Sequence, residues 1–183
     1  MNMPGMSQRW VNVDLLTTEY RIVGRTLVGN AGLFGLLIDS SKSFIEIRQA
    51  QIAYLRQPTR IVRRFDAANL LKDKIYVALI DGLEFAGAPS IAHRGYASFQ
   101  NYPLHISFTG FELDCYIEWT GRFEMASLLV DKMGGFMLVY DAYLDSSIIP
   151  GLNVNTPAAM VNMSRVDLIA LAPKEELTEA DPG

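Results

Sequence analysis

The sequence predicts an all-β fold: two tandem five-stranded, strongly bent antiparallel small barrels with little helix. The chain repeats itself roughly 90 residues apart, because residues 36–39 (LLID) return at 128–131 (LLVD), and 44–52 return at 136–144. Within each repeat, apolar residues alternate with polar ones, as in half-buried strands. Five short strands in about 70 residues bury their apolar faces only if the sheet bends strongly on itself.

The first repeat opens on a predicted hairpin. Val11, Val13 and Leu15 alternate with polar residues, residues 17–19 turn the chain, and a second alternating strand covers 20–28. Further strands are predicted at 33–38, 44–55 and 75–80, and residues 56–73 predict an irregular connection with a helical turn at about 66–71. The glycines expected at the bend are Gly24, Gly29, Gly32 and Gly35.

The second repeat predicts the same plan. Its hairpin pairs residues 104–108 with a five-step alternation from Phe111 to Trp119, and further strands are expected near 126–130, 135–144 and 165–171. Length differences between the repeats fall in loops, where homologous copies tolerate them. The predicted domains are a first barrel (9–80), a connecting segment (81–102), a second barrel (103–172) and a disordered acidic tail (173–183).

Composition excludes several classes of function. The 183 residues carry a net charge of −4, which argues against general affinity for nucleic acid or anionic membranes. The charge is uneven, because residues 1–91 hold 11 Lys or Arg against 8 Asp or Glu and the remainder is strongly acidic. No apolar run approaches the roughly 18 residues of a membrane helix, so we expect a cytoplasmic protein with no membrane partner. The single cysteine, Cys115, excludes an internal disulfide and is expected to be a buried thiol.

Enzymatic constellations are scarce in this sequence. His93 and His105 have no histidine or cysteine at ligand spacing, and no phosphate-binding or nucleophile motif is present. Asp39 and Asp131 hold equivalent places, where a turn carboxylate accepting backbone N–H groups is expected. We therefore predict no catalytic residue, no metal site, no cofactor and no enzyme activity.

Four arginines form the one basic cluster of the sequence, and they are the candidate site for an interaction or an anion: Arg56, Arg60, Arg63 and Arg64. The Arg56-x-x-x-Arg60 spacing resembles that of cyclic-dinucleotide-binding PilZ domains, although the downstream part of that motif is missing. The matching loop of the second repeat, 145–156, carries no positive charge and keeps Asp145. The two repeats are therefore electrically opposite at this place.

Each repeat resembles an Sm-like small β-barrel over residues 11–52 and 104–144. The shared order is strand, turn, glycine-containing strand, short strand ending in Asp, then a long strand. The resemblance implies edge-to-edge association, in which the fourth strand of one unit pairs with the fifth strand of the next. The family's uridine pocket is not expected, since Ser43 and Gly135 replace its Asn and no Arg-Gly pair precedes Ile75 or Val166.

Two functions remain open from the sequence. The first is a non-catalytic assembly or scaffold module with protein partners, which self-associates through exposed strand edges and complementary charge. The alternative is a regulator that binds nucleotide or RNA through the Arg56–Arg64 loop. The identity of the partner, the size of the oligomer and the packing of the repeats on each other do not follow from the residues.

Overall fold

The computed structural model describes residues 8–82, 99–132 and 135–173, and these residues form ten strands and two short α-helices. The all-β class is therefore confirmed. No helix in these ranges has the length and apolar character needed to cross a membrane. The strands are β1 (Arg9–Leu16), β2 (Tyr20–Val28), β3 (Phe44–Tyr54), β4 (Ile61–Leu71), β5 (Val77–Ile80), β6 (Phe99–Phe108), β7 (Phe111–Thr120), β8 (Phe136–Asp145), β9 (Val154–Asn162) and β10 (Val166–Leu171); the helices are α1 (Gly32–Ile38) and α2 (Met125–Lys132).

All ten strands belong to one antiparallel sheet, in the order β10-β6-β7-β8-β9-β5-β1-β2-β3-β4. The sheet is continuous through both repeats and does not close. Each half has the same internal order, because the fifth strand of a repeat lies beside its first, followed by its second, third and fourth strands. The halves meet where β9, the fourth strand of the second repeat, pairs with β5, the fifth strand of the first.

The long strand of each repeat is predicted as its fourth but is its third, because the apolar run before it is a helix, and the fourth strand is the one that follows it. This long strand bends at an equivalent residue in the two repeats. Gln49 in β3 and Asp141 in β8 have φ values of 52° and 46°, in the left-handed region, and the ladder to the preceding strand shifts register beside each of them. These are β-bulges, which increase the local bend and twist of a strand. Gly24 packs against the first bulge, where a Cβ atom would lie 2.5 Å from Cγ2 of Ile47 and 2.8 Å from the carbonyl oxygen of Arg48.

Two predicted strands are helices, and the prediction for these segments was wrong. Residues 33–38 form α1 and residues 126–130 lie within α2. Short apolar runs fit either a buried strand or one face of a helix. Helical spacing explains the outcome for α1, because Leu33 and Leu37 lie one turn apart and are both buried in the core.

The predicted irregular connection at 56–73 was also wrong. β4 pairs with β3 along its length, and the helical turn falls at Lys72–Lys74 rather than at 66–71. Most residues of β4 are exposed at the edge of the sheet, so its sequence lacks the alternation of apolar and polar residues that predicts a strand. β6 begins at Phe99, inside the predicted connecting segment; residues 83–98 of that segment and residues 174–183 of the acidic tail lie outside the described residues.

The buried apolar side chains form two clusters, one centred on each repeat. Strand β5 contributes to both clusters, since Val77 and Leu79 pack with the second repeat while Ala78 and Ile80 pack with the first. The strand alternation of period two explains this division, because successive side chains point to opposite faces. The core is thus shared across the line where the repeats meet.

Candidate functional site

The pairing of β5 with β9, here called the internal junction, is the contact between the repeats. Val77 lies opposite Val161, and Ile80 lies opposite Ala158. All four residues of β5 are buried, and so are the last five residues of β9. A strand that is covered on both faces and paired on both edges is the central part of a sheet, not a flexible contact between domains.

Polar side chains support the internal junction at its two ends. At one end Asn162 is buried, and its Nδ2 atom donates to the carbonyl oxygens of Ile75, at 2.8 Å, and Lys72, at 3.3 Å. At the other end Thr156 Oγ1 donates to the carbonyl oxygen of Ile80 at 2.8 Å. Each bond runs from a side chain of the second repeat to the backbone of the first, so the contact has specific polar partners as well as apolar packing.

The repeat provides an uncovered counterpart for each strand of the internal junction. β10 is the second-repeat equivalent of β5, and β4 is the first-repeat equivalent of β9. β10 pairs with β6 alone and β4 with β3 alone in the described part of the chain. The two strands therefore lie at opposite ends of the ten-stranded sheet, and each presents one row of backbone N–H and C=O groups without a strand partner.

The uncovered strands keep apolar residues at the positions that the internal junction buries. Leu168 and Leu171 of β10 are 52% and 49% exposed, whereas the equivalent Val77 and Ile80 of β5 are 0% and 3% exposed. On β4, Leu71 is 49% exposed and occupies the place of the buried Asn162. Exposed apolar residues along a strand edge are typical of a surface that pairs with another chain.

The basic cluster lies on the same uncovered edge as β4. Arg56 and Arg60 lie in the turn between β3 and β4, while Arg63 and Arg64 lie on β4 itself, so only half of the predicted loop is loop. All four side chains are exposed. Arg60 Nη1 lies 3.4 Å from Gln57 Oε1 and Arg63 Nη1 donates to its neighbour's carbonyl, but none of the four pairs with a carboxylate within the described ranges.

A groove of about 650 Å³ lies beside the basic cluster. It is lined by Gln49, Ala50, Gln51, Arg64, Phe65 and Asp66. The only positive charge in its lining is Arg64, and Asp66 opposes that charge. The groove therefore offers a mixed polar surface next to the strand edge, not a convergent anion site.

A second groove, of about 560 Å³, lies beside the internal junction, and its lining also carries both positively and negatively charged side chains. Its lining residues include Asp39, Lys42, Lys72, Asp73, Asn162 and Ser164. Lys72 Nζ donates to the carbonyl oxygen of Asp39 at 2.7 Å, and burial lowers the pKa of Lys72 below its usual value. Asp39 Oδ1 accepts the backbone N–H of Ser41, as predicted for this turn. Hydrogen bonds with the side chain and the backbone of Ser41 lower the pKa of Asp39. Asp131, its sequence equivalent, is exposed near the end of α2.

A serine, a histidine and an aspartate lie in hydrogen-bonding contact on the hairpin of the second repeat. Ser107 Oγ lies 3.2 Å from His105 Nε2, and His105 Nδ1 lies 2.8 Å from Asp114 Oδ1. This order is that of a nucleophile, base and carboxylate. However, His105 and Asp114 lie directly opposite each other in the ladder between β6 and β7, where neighbouring strands bring polar side chains into contact. We interpret the contact as a cross-strand polar pair.

The remaining predicted groups have structural surroundings. Cys115 is buried and free of a disulfide, as predicted, and burial raises the pKa of its thiol. An ion pair between Arg21 and Asp14, 2.5 Å apart, stabilises the first hairpin, and the hydrogen bond to Asp14 raises the pKa of Arg21. His93 lies outside the described residues. The described residues contain no group of three or more acidic, histidine or cysteine side chains arranged to hold a metal ion.

The sequence patterns do not identify Asn162 and Thr156, the polar residues of the internal junction, because these patterns do not predict β9. They also do not identify the partner of His105. The turn at Thr109-Gly110 could have revealed that pair, because a two-residue hairpin turn fixes the register and places His105 opposite Asp114. No family model, no curated protein and no solved structure matches the chain.

Proposed function

We propose that this protein is a non-catalytic assembly module, in which each repeat is a small, strongly bent Sm-like barrel unit and chains associate through their strand edges. In this assembly, β4 of one chain pairs with β10 of the next. The observation that carries the proposal is the internal junction. It joins a fourth strand to a fifth strand within the chain, and the equivalent fourth and fifth strands at the two ends lack such partners in the described residues.

The internal junction also supplies the register of the proposed contact. Moving each pair to the equivalent residue of the other repeat places Leu168 opposite Leu70 and Leu171 opposite Ala67. The strands would run antiparallel, as β5 and β9 do. Such a head-to-tail contact uses two different surfaces, so repeated addition gives a closed ring or an open filament.

Burial of the exposed leucines would drive this association. Leu168 is 52% exposed, so covering it removes roughly 90 Å² of apolar surface and contributes about 2 kcal/mol. Leu171 and Leu71, each 49% exposed, would contribute similar amounts. Association costs about 4–15 kcal/mol in lost freedom, so these residues together with the new backbone hydrogen bonds favour a reversible, concentration-dependent assembly.

The test is the mass of the protein in solution after charges are placed on the β10 edge. The Leu168→Lys/Leu171→Lys variant keeps its lysines exposed in the single chain but would bury them in the assembly, where an unpaired charge is strongly unfavourable. We expect the mass of the wild-type protein, by light scattering, to rise above the 20.4 kDa of one chain between about 1 and 100 µM, while the variant stays at one chain.

A matched control places two lysines at exposed apolar positions that lie on neither β4 nor β10. Val130 and Ile148 are 75% and 68% exposed, so Val130→Lys/Ile148→Lys should assemble like the wild-type protein. Circular dichroism verifies that all three proteins are folded. A wild-type chain that remains single at 100 µM, or an edge variant that assembles as well as the control, would contradict the proposal.

The alternative function is a regulator that binds nucleotide or RNA through the Arg56–Arg64 segment. The four exposed arginines favour it, because none has a carboxylate partner among the described residues. Under this function the chain would bind RNA with a steep dependence on salt concentration. The acidic net charge and the mixed charge of the adjacent groove favour the assembly function instead.

A further inference from the structure

We propose that the outer face of the first repeat in one chain binds the outer face of the second repeat in another chain. The outer face of a repeat is the side of its sheet that points away from its own buried cluster. This contact goes beyond the edge pairing proposed above and does not require it, because it uses the faces of the strands and not their edges. The partner is a second copy of this chain, recognised by paired arginines on one face and paired carboxylates on the other.

The strands of the two repeats carry opposite charge. Strands β1 to β4 contain six arginines against three carboxylates. Strands β6 to β10 contain no lysine or arginine and six carboxylates: Glu112, Asp114, Glu118, Asp141, Asp145 and Asp167. Opposite charge on two surfaces favours their encounter and disfavours contacts between like surfaces.

Two arginines lie directly opposite each other on the outer face of the first repeat. Arg25 of β2 pairs with Arg48 of β3 in the ladder, and both side chains are exposed. Arg48 forms an ion pair with Glu46, with 2.5 Å between Nε and Oε1, whereas Arg25 forms no ion pair with a described carboxylate. Like charges directly opposite in a ladder are unfavourable. Carboxylates of another molecule placed over this pair would therefore relieve a repulsion that the single chain carries.

The outer face of the second repeat carries the reverse pair. Glu112 of β7 lies directly opposite Asp145 of β8, and both side chains are exposed. Asp145 Oδ1 accepts the N–H of Ser146 at 2.6 Å, and neither carboxylate forms an ion pair with a described cation. The ladder sets the same spacing in both repeats, about 5 Å between opposite Cβ atoms. Two carboxylates can therefore meet two guanidinium groups at the same time.

The duplication shows that the fold itself requires neither pair. In the second repeat, two tyrosines, Tyr116 and Tyr140, occupy the place of the paired arginines and lie opposite each other. In the first repeat, Arg21 and Ala53 occupy the place of the paired carboxylates. Each like-charged pair therefore occurs in one repeat only, and the two pairs have opposite sign, as a contact between unlike faces needs.

The two outer faces lie on opposite sides of the continuous sheet. Asp14 shares the outer face of the first repeat with Arg25 and lies opposite Leu79, which packs in the buried cluster of the second repeat. Tyr140 shares the outer face of the second repeat with Glu112 and packs against the buried cluster of the first. Each outer face therefore continues into the core of the other repeat. Because the faces point away from each other, the partner of each face belongs to another chain.

The test measures association in a chain whose strand edge is blocked by Leu171→Lys. Leu171 lies opposite the buried Leu104 in the ladder with β6, so the new lysine stays off the acidic outer face. Exposed ion pairs contribute little individually, so we expect half of the chains to associate at about 1 mM protein and about 50 mM salt. Sedimentation equilibrium measures this association, which should vanish at about 500 mM salt, where the charges are screened.

Charge reversal then tests the two pairs, with Leu171→Lys present in every variant. Arg25→Glu/Arg48→Glu brings four carboxylates together in the contact, and Glu112→Arg/Asp145→Arg brings four guanidinium groups together. Each should weaken association by about tenfold or more, because like charges then face each other. An equimolar mixture of the two variants restores unlike charges between chains and should associate as the unreversed chain does.

A matched control changes the net charge by the same amount elsewhere. Arg56→Glu/Arg60→Glu reverses two exposed arginines in the turn between β3 and β4 and should leave the association unchanged. Circular dichroism verifies that every variant is folded. A control that weakens association as much as Arg25→Glu/Arg48→Glu would show a general effect of net charge and overturn the inference.

The remaining outcomes separate this inference from the proposed function. A Leu171→Lys chain that stays single at about 2 mM, association that persists at about 500 mM salt, or a mixture that does not recover would each overturn the face contact. These results leave edge pairing intact, because edge pairing is measured with unmodified edges below 100 µM. Loss of RNA binding in Arg25→Glu/Arg48→Glu, without a change in self-association, would assign these arginines to nucleic acid and also overturn the inference.

Discussion

Replacing Asn162 with alanine should lower the free energy of unfolding by about 2–4 kcal/mol. The side chain is 3% exposed and makes contacts in two directions. Its Nδ2 atom donates to the carbonyl oxygens of Ile75 and Lys72 in the first repeat, while its Oδ1 atom accepts from the N–H of Ser164 at 3.1 Å and from its hydroxyl at 2.7 Å. Alanine removes all four bonds and leaves a small cavity at the end of the internal junction.

The size of the loss in unfolding free energy depends on which hydrogen-bond partners of Asn162 have no other bond. The carbonyl of Lys72 also accepts the N–H of Ile75, so it stays paired, and Ser164 is exposed and can bond to water. The cost therefore centres on the Ile75 carbonyl and on lost packing, at about 1–3 kcal/mol for the unsatisfied group with a smaller contribution from the cavity. Asn162→Asp keeps the shape but directs a carboxylate at two carbonyl oxygens, so it should be at least as unfavourable at neutral pH.

Urea unfolding at low micromolar protein, followed by far-ultraviolet circular dichroism, measures these differences. Ser164→Ala is the matched control, because it removes one of the four bonds at an exposed residue and should change stability by less than about 1 kcal/mol. If Asn162→Ala unfolds within about 0.5 kcal/mol of the wild-type protein, the amide does not hold the repeats together, and the reasoning about the internal junction is wrong.

Two further substitutions or reactions test other parts of the fold. Gly24→Ala should lower the free energy of unfolding by about 1–3 kcal/mol, because its methyl group would overlap Ile47 and the Arg48 backbone. The control Gly29→Ala should be nearly neutral, because no atom lies within 4 Å of its added methyl group. Equal effects of the two substitutions in urea unfolding would contradict this account of the bulge. The thiol of Cys115 should not react with a disulfide reagent at pH 8 in the folded protein and should react fully in guanidinium, because burial raises its pKa and blocks access; rapid reaction of the folded protein would show that the second core opens.

The hairpins of both repeats were predictable because one of their faces is buried. Val11, Val13 and Leu15 alternate with polar residues in the sequence and are buried in β1, and Leu113 and Cys115 behave in the same way in β7. Apolar and polar residues alternate along a strand when one face of the strand packs on the core and the other face is in contact with water.

The fourth strands could not be found by the same signal, for opposite reasons. β9 has no alternation in its last five residues, because both faces are covered at the internal junction. β4 has little alternation because most of its residues are exposed at an edge. The sequence therefore predicts a loop for the basic cluster, although Arg63 and Arg64 lie on β4. Which strand pairs across the repeats depends on contacts roughly 80 residues apart in the chain, and no local pattern records that distance.

The pairing of β5 with β9 also constrains the order in which the protein folds. β9 is synthesised roughly 80 residues after β5, so a nascent first repeat presents the apolar strand Val77–Ile80 with no neighbour on one side until β9 has been synthesised. During that interval the strand is open to the wrong partner, including the same segment of another nascent chain. Slow translation or an early stop would therefore favour aggregation, and a ribosome-bound fragment ending before Val154 should bind chaperones more strongly than the finished chain.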